Sequence, residues 1–506
     1  MSEQLALLPD YLTAHIQLTL LALLFSTTLS LPLGIAITRT PWLEQAVLAL
    51  AGVIQTVPSL ALLAVMVPML AGLDLPSIGF LPAIIGLTLY GILPILRGTV
   101  TGIAGVDAAT KEAARGVGMT PWQQLSQVEV PLAMPVIVAG IRTATVWLVG
   151  TATLSTPVGA TSLGNYIFSG LQTRNTSAVL VGCVAAAGLA LVLDALVRVV
   201  ESGVRTRRRP QVVVAAGLMA LLYLFVATTL VAPRMSSDER PIVIGAKTFT
   251  EQYILSAILS EWIEQETGRS TSVLQSLGST VAFDALGADE IDLYVEYTGT
   301  LWATELDRGN ENATRSDVLT EVERFIREQH AMTLVARLGF ENAYALAVRR
   351  ADAERLGLTQ ISDLTRHART WVVGGDYEFF ARPEWKSIQR TYGLEFADLR
   401  TMDSTLMYQA AAQGNVDVIS AFSSDGRVSA YDLVVLQDEL GAIPPYDAVV
   451  LASPRLSTEE PDVIRAVAAL ENRIAVDTMR RMNLAVDEEG EAPATVAARF
   501  VTTLQR

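Results

Sequence analysis

Eight aromatic residues of the C-terminal half stand in loop-like surroundings: Phe249, Tyr297, Tyr344, Tyr377, Phe379, Phe380, Phe422 and Tyr446. Tyr297, Tyr344 and Phe422 adjoin the polar strand-end motifs EYTGT, ENAYA and AFSSDG, and Tyr446 follows the rigid pair Pro444-Pro445. Rings gathered around one cavity hold a cation without a formal anion, each contributing about 0.5–2 kcal/mol once desolvated. The set as a whole favours a quaternary-ammonium cage, with Phe249 and Phe380 left to the core. Other chemistries are poorly served. The three histidines (His15, His330, His367) are too scattered for a metal site, and the single Cys183 provides neither a disulfide framework nor a cysteine-based zinc site. GAKT at 245–248 lacks the glycine frame of a phosphate loop, and no nucleophile elbow or HExxH occurs. Binding rather than catalysis is expected, with no metal and no cofactor.

The elements that must position these rings alternate strand and helix from IVIG at 242–245 onward, an α/β pattern. Two internal echoes run through it. IVIGAKTF at 242–249 matches WVVGGDYE at 371–378, and ADEIDLYVEYTGT at 288–300 matches GNVDVISAFSSDG at 414–426. Lys247 then corresponds to Asp376, and Tyr297 to Phe422. Such a duplication predicts two similar lobes, lobe 1 at about 242–347 and 448–506, lobe 2 at about 348–447. Corresponding loops at strand C-terminal ends would face each other across a cleft.

The preceding half is a different object. Residues 1–232 hold 11 Lys/Arg and 9 Asp/Glu, whereas residues 233–506 hold 26 and 43, so the overall net charge of −15 is concentrated in the second half. That balance argues against a nucleic-acid partner. Apolar runs of membrane-spanning length lie near 13–38, 46–71, 79–101, 132–152, 178–197 and 211–232. The first lacks a basic leader and a cleavage site, so it reads as a retained span. Arg39, Lys111, Arg115, Arg198, Arg205, Arg207, Arg208 and Arg209 fall in alternate loops, the cytoplasmic ones, while Glu3, Asp10, Asp74 and Arg174 mark the other side. Six crossings from an external N-terminus place everything after residue 232 outside the cytoplasm, beyond a linker at 233–241. Arg142, in mid-span, is expected to face the bundle interior or a wet path, and Asp194 with Arg198 to form a local ion pair.

Between the third and fourth spans, residues 112–131 read EAARGVGMTPWQQLSQVEVP. The skeleton Glu112-Ala113-Ala114, Gly118, Val128, Val130, Pro131 resembles the EAA loop of ABC-importer permeases, which docks into the ATPase subunit. Small alanines admit a close partner, Gly118 permits a sharp reversal, and Pro131 restarts the chain at the next span. The coupling loop is expected over 107–131.

IVIGAKTFTEQYIL, VEYTGT, FENAYALAV, SAFSSDGR and PPYDAVV resemble the substrate-binding proteins of the quaternary-amine osmoprotectant family, whose ligands are glycine betaine, choline and carnitine. The N-terminal half is similar to the permease of the same transporters, so the chain looks like the fused form. The resemblance implies an all-α six-span ABC-importer transmembrane domain (1–232) followed by an α/β bilobal, type II periplasmic-binding-protein-like domain (242–506). It implies a multi-pass protein of the cytoplasmic membrane, importing a compatible solute with an ATPase supplied in trans and a homodimer of this chain. The cage falls on Tyr297, Tyr344, Phe422 and Tyr446, with Lys247, Thr300, Tyr377 and Asn342 beside it. Phe422 stands where choline-binding relatives use tyrosine, and Thr300 where they use a carboxylate. A cation gained and an anion absent suit a betaine-type zwitterion (glycine betaine, carnitine or ergothioneine) whose carboxylate meets Lys247. Alternatively, Lys247 forms a structural ion pair with Glu251 or Asp376. The competing class, a ligand-gated receptor or channel, predicts no coupling loop and usually a pore-lining re-entrant segment.

Overall fold

The computed structural model describes residues 2–73, 75–173, 175–206, 208–231, 240–308, 313–376 and 379–505. Tyr377, Asp74, Arg174, Arg207 and most of the linker lie outside the described residues. The chain divides into two units, Met1–Gly170 with Thr176–Arg240, and Leu171–Asn175 with Pro241–Arg506.

The first unit is helical: α1 Ser2–Ile37, α2 Pro41–Thr56, α3 Ser59–Ala71, α4 Phe80–Ala104, α5 Ala108–Gly116, α6 Pro121–Gln124, α7 Val130–Ala152, α8 Gly164–Gln172, α9 Thr176–Arg205 and α10 Arg209–Val231. Among the described residues five helices are long and apolar enough to cross a membrane, and α2 and α3 form a sixth only as a pair bent by 98°. The apolar run at 46–71, which holds Pro58 and Pro68 as broken or kinked transporter helices tolerate, is this bent pair. Pro58 supplies no N–H and steers the residue before it out of the helical region, and Val57 indeed has ψ 129°.

Packing settles whether this pair crosses. Ser26 donates to the Thr88 carbonyl at 2.8 Å and Ser30 to the Ile92 carbonyl at 3.2 Å. A Cβ on Gly34 would lie 2.7 Å from the Thr99 methyl. Ascending residues of α1 therefore meet ascending residues of α4, and the two run in the same direction. The chain must cross back between them, so α2 and α3 together make one broken crossing. The loop holding Arg39 and the loop before α7 then share a side, consistent with Arg39 lying 3.7 Å from Glu129. Arg142 does face the bundle, but its partners come from α9: Asp194 at 2.5 Å and Glu201 at 3.5 Å, while Asp194 also keeps Arg198 at 2.7 Å.

The second unit holds β1 Ile242–Lys247, β2 Thr271–Leu277, β3 Leu293–Tyr297, β4 Thr333–Glu341, β5 Tyr344–Arg349, β6 Val372–Gly375, β7 Asp398–Thr401, β8 Val418–Phe422, β9 Leu433–Val435 and β10 Asp447–Ala452. They form two five-stranded sheets, ordered β2-β1-β3-β10-β4 and β7-β6-β8-β5-β9. In each, the first three strands pair parallel and the last two antiparallel. The echoes are thus topological: β1 corresponds to β6 and β3 to β8. Even a side-chain bond repeats, Asp292 accepting from Val243 N at 2.8 Å and Asp417 from Val372 N at 2.9 Å. The boundary anticipated at 347/348 falls inside β5, which belongs to the second sheet from Tyr344 onward. The chain passes between lobes at Asn342–Ala343 and again between β9 and β10. These crossings lie side by side, since Asn342 N donates to the Tyr446 carbonyl at 3.1 Å. Each sheet buries apolar faces under helices, giving every lobe its own core.

Candidate functional site

The cage positions sit at equivalent strand ends. Tyr297 ends β3 and pairs with Ala448 of β10, just past Tyr446, whereas Phe422 ends β8 and pairs with Tyr344 of β5. All four line one cavity of about 400 Å3 between the lobes. Lys247, Thr300 and Asn342 line it too. Seven of the eight residues singled out in the sequence thus share a single cavity, and Tyr377 is the one outside the described residues.

Each ring is held by its own lobe or by the facing one. The Tyr297 hydroxyl donates to Glu251 at 2.5 Å and accepts from Gln252 at 3.2 Å. Tyr446 donates to Glu384 and lies flat on Gly299, where a Cβ would meet the ring at 2.4 Å. Tyr344 packs 5.0 Å from Phe422 and 5.1 Å from Phe379. Phe249, assigned to the core from sequence, lines the cavity with its ring 6.2 Å from Tyr297. Phe380 does pack into the core of the second lobe, against Trp385.

The charges correct two expectations. Lys247 is buried and paired with neither Glu251 nor Asp376 but with Glu296, the residue before Tyr297. Its ammonium also lies 5.1 Å from the Tyr297 ring centre. Nor is the site poor in anions: Glu251, Asp376, Asp403, Asp425 and Asp487 line it against Lys247, Arg382 and Arg427. The second lobe mirrors the first, with the Arg382 guanidinium 5.3 Å from the Tyr344 ring centre. Arg382 bonds Glu384 at 3.3 Å. Burial disfavours its charge, but Tyr446, Tyr344 and Glu384 outweigh that and its pKa rises.

Beneath the cage, Glu251 accepts from Tyr297, from Asn342 at 3.1 Å and from Asn483 at 3.1 Å. Burial pushes its carboxyl up, opposed by these donors and by Ser424. Asp487 accepts from Thr250 at 2.6 Å, and burial lifts it to about 6 against the pull of Arg427. Arg427 is itself clamped by Asp425 at 2.5 Å. The sequence reading passed over Arg382 and Asn483, and named Glu251 only as an alternative partner of Lys247. For Arg382 a signal existed: an arginine beside Phe379-Phe380 and before the Pro383 helix start.

In the helical unit, α5 is capped by Asp107, which accepts from Ala109 N at 3.4 Å. Gly118 has φ +80° with nothing within 4 Å of an added Cβ, so conformation rather than space requires glycine there. Thr120 and Gln123 form a capping box at α6, a π turn follows over Leu125–Glu129, and Pro131 opens α7. Glu112, Ala113 and Gly118 are exposed, while Ala114 packs inward. Val117 and Trp122, not picked out beforehand, are 74% and 73% exposed on this loop. Gln124 and Glu129, both buried and 2.6 Å apart, anchor its far end.

Residues 240–503 match the family model for the substrate binding domain of ABC-type glycine betaine transport systems. Residues 30–206 match that for the inner membrane component of binding-protein-dependent transport systems. The ergothioneine transport permease/ergothioneine binding protein of Helicobacter pylori (strain G27) is 31% identical over 89% of this chain and 82% of its own length. The permease protein of the glycine betaine/carnitine/choline transport system of Bacillus subtilis (strain 168) is 42% identical over 37% of this chain and 83% of its own. The carnitine transport binding protein of Listeria monocytogenes is 30% identical over 52% of this chain and 87% of its own. Both halves therefore have relatives of the same transporters, and the Helicobacter protein joins them in the same order. The chain belongs to the ABC importers of the glycine betaine, carnitine and ergothioneine type, in the form that carries permease and substrate-binding domain on one polypeptide.

Proposed function

We propose that this chain captures a betaine-type zwitterion in the cleft between its lobes and passes it through its own helical unit. The observation that carries the reading is the set of four aromatic residues at equivalent strand ends around one cavity. Tyr297, Tyr344, Phe422 and Tyr446 receive the trimethylammonium group. Arg382 takes the carboxylate, in place of Lys247. Its planar guanidinium lines the cavity and has the fork geometry that matches a carboxylate, whereas the Lys247 ammonium is committed to buried Glu296. Thr300 and Asn342 complete the wall. The excess of carboxylates around the cavity favours the positive end of the ligand.

The family implies a solute ligand and an ATP-hydrolysing partner. That partner docks from the cytoplasm on the 107–131 loop, with Glu112, Ala113, Ala114, Gly118 and Pro131 shaping the contact, and two copies of this chain form the pathway. Ergothioneine is a second reading, supported by the Helicobacter relative and by a cavity larger than glycine betaine fills. Calorimetry on the purified full chain compares glycine betaine, carnitine, ergothioneine and choline. One of the zwitterions binds most tightly; tighter choline binding would overturn the assignment of Arg382 to a carboxylate.

A further inference from the structure

From the geometry of the α2–α3 break we infer that Gln55, Thr56 and Tyr90 line the solute path inside the membrane. The break is at membrane depth, because the Tyr90 hydroxyl donates to the Val57 carbonyl and Tyr90 lies ten residues into the 25-residue α4. A helix end leaves its last carbonyls without intrahelical donors. Here the Val53 carbonyl accepts from the Thr56 hydroxyl at 2.7 Å, that of Ile54 from Val57 N at 3.3 Å, and that of Val57 from Tyr90. Among the described residues, none donates to the carbonyls of Gln55 and Thr56.

Irregular backbone with open carbonyls is not borne facing lipid; at this depth it is buried in protein or lines water. Thr56 and Pro58 are exposed in the single chain and Gln55 is half-buried, its amide reaching the Tyr90 carbonyl at 3.4 Å. Polar side chains and open carbonyls together fit a wet passage better than an apolar seam between copies. The open carbonyls form the negative end of α2, and the Tyr90 ring stands beside them, so the feature suits a passing cationic group. Broken helices serve solute passage in other transporters by the same physics. This inference rests on the proposed quaternary-ammonium solute for its chemistry, but not for the position of the passage.

The sequence holds one cysteine, Cys183, so Cys183→Ala yields a cysteine-free chain. In that background, Thr56→Cys is compared with Leu50→Cys, which lies on an exposed apolar stretch of α2. Both are treated, in the full transporter, with the trimethylammonium-ethyl methanethiosulfonate reagent. The expected result is labelling of Thr56→Cys at least tenfold faster than of Leu50→Cys, with loss of uptake. Labelling no faster than at Leu50, or fast labelling that leaves uptake intact, overturns the inference. Slowing of the reaction by transported solute further supports it, and a failure of glycine betaine, carnitine and ergothioneine alike to bind would count against the ligand alone. Tyr90→Phe, which removes the donor to Val57, is expected to slow uptake at unchanged solute affinity; unchanged uptake contradicts a role for the break.

Discussion

Lys247 shows how far a single residue can be read from its neighbours in sequence. Its position at the end of β1 was legible, but its partner depended on β1 lying beside β3, which only the sheet order reveals. With Glu296 only 1% exposed, Lys247→Met strands a buried carboxylate and is expected to cost about 3–5 kcal/mol, measured as a lowered unfolding temperature. Adding Glu296→Gln to that variant restores most of the loss; a pair that stays as unstable as the single variant contradicts this account. Arg382→Ala should weaken a zwitterion by at least about tenfold while choline affinity changes little, because only the former has a carboxylate to lose. At Asp487 the sign follows from burial. Its folded pKa, about 6, lies above that of the unfolded chain, so the folded state holds a proton that the unfolded state has released. Stability is fullest below about pH 4 on this group's account and falls as pH rises through 6. Asp487→Asn is therefore expected to flatten the pH dependence of thermal unfolding between these limits, and an unaltered slope would show that the carboxyl does not titrate there.

At the scale of elements, the aromatic strand ends were readable because each belongs to a short motif ending an apolar run. The break between α2 and α3 was legible only in kind: Pro58 and Pro68 mark the run from 46 to 71 as one that tolerates a break or kink, but no periodicity in it gives the place or the 98° of the bend. A bent pair is what a pore-lining re-entrant segment would also present. The parallel course of α1 and α4 excludes that reading by requiring a crossing between them. The reversal at Gly118 is another element-scale feature that sequence exposes well, since a glycine between two helix starts has few other uses. With φ +80° and free space around it, Gly118→Ala costs backbone strain of about 1–2 kcal/mol without a clash. The expected outcome is loss of solute-stimulated ATP hydrolysis in the assembled transporter with solute affinity unchanged. Retained stimulation would remove the loop from the coupling role.

The whole molecule is a multi-pass inner-membrane protein whose binding domain lies outside. Its composition reflects this division: a near-neutral helical unit and an acidic external one, joined in one chain. The acidity reaches the cleft, where carboxylates outnumber cations, a property invisible in residue spacing because the five come from five separate stretches of both lobes. The duplication visible in two short echoes extends to strand order, pairing sense and a repeated aspartate bond, so the lobes are two uses of one plan. The central claim is that this plan builds a cage for a permanently charged ammonium. Its most direct test compares glycine betaine with its uncharged-head isostere 3,3-dimethylbutanoate by calorimetry on the full chain, alongside Tyr344→Ala. Shape and carboxylate are the same in both compounds; only the positive charge differs. The account predicts binding of the charged compound at least about thirtyfold tighter than of its isostere, from two or more desolvated rings, and loss of that preference in Tyr344→Ala. Equal affinities for the two compounds would contradict it.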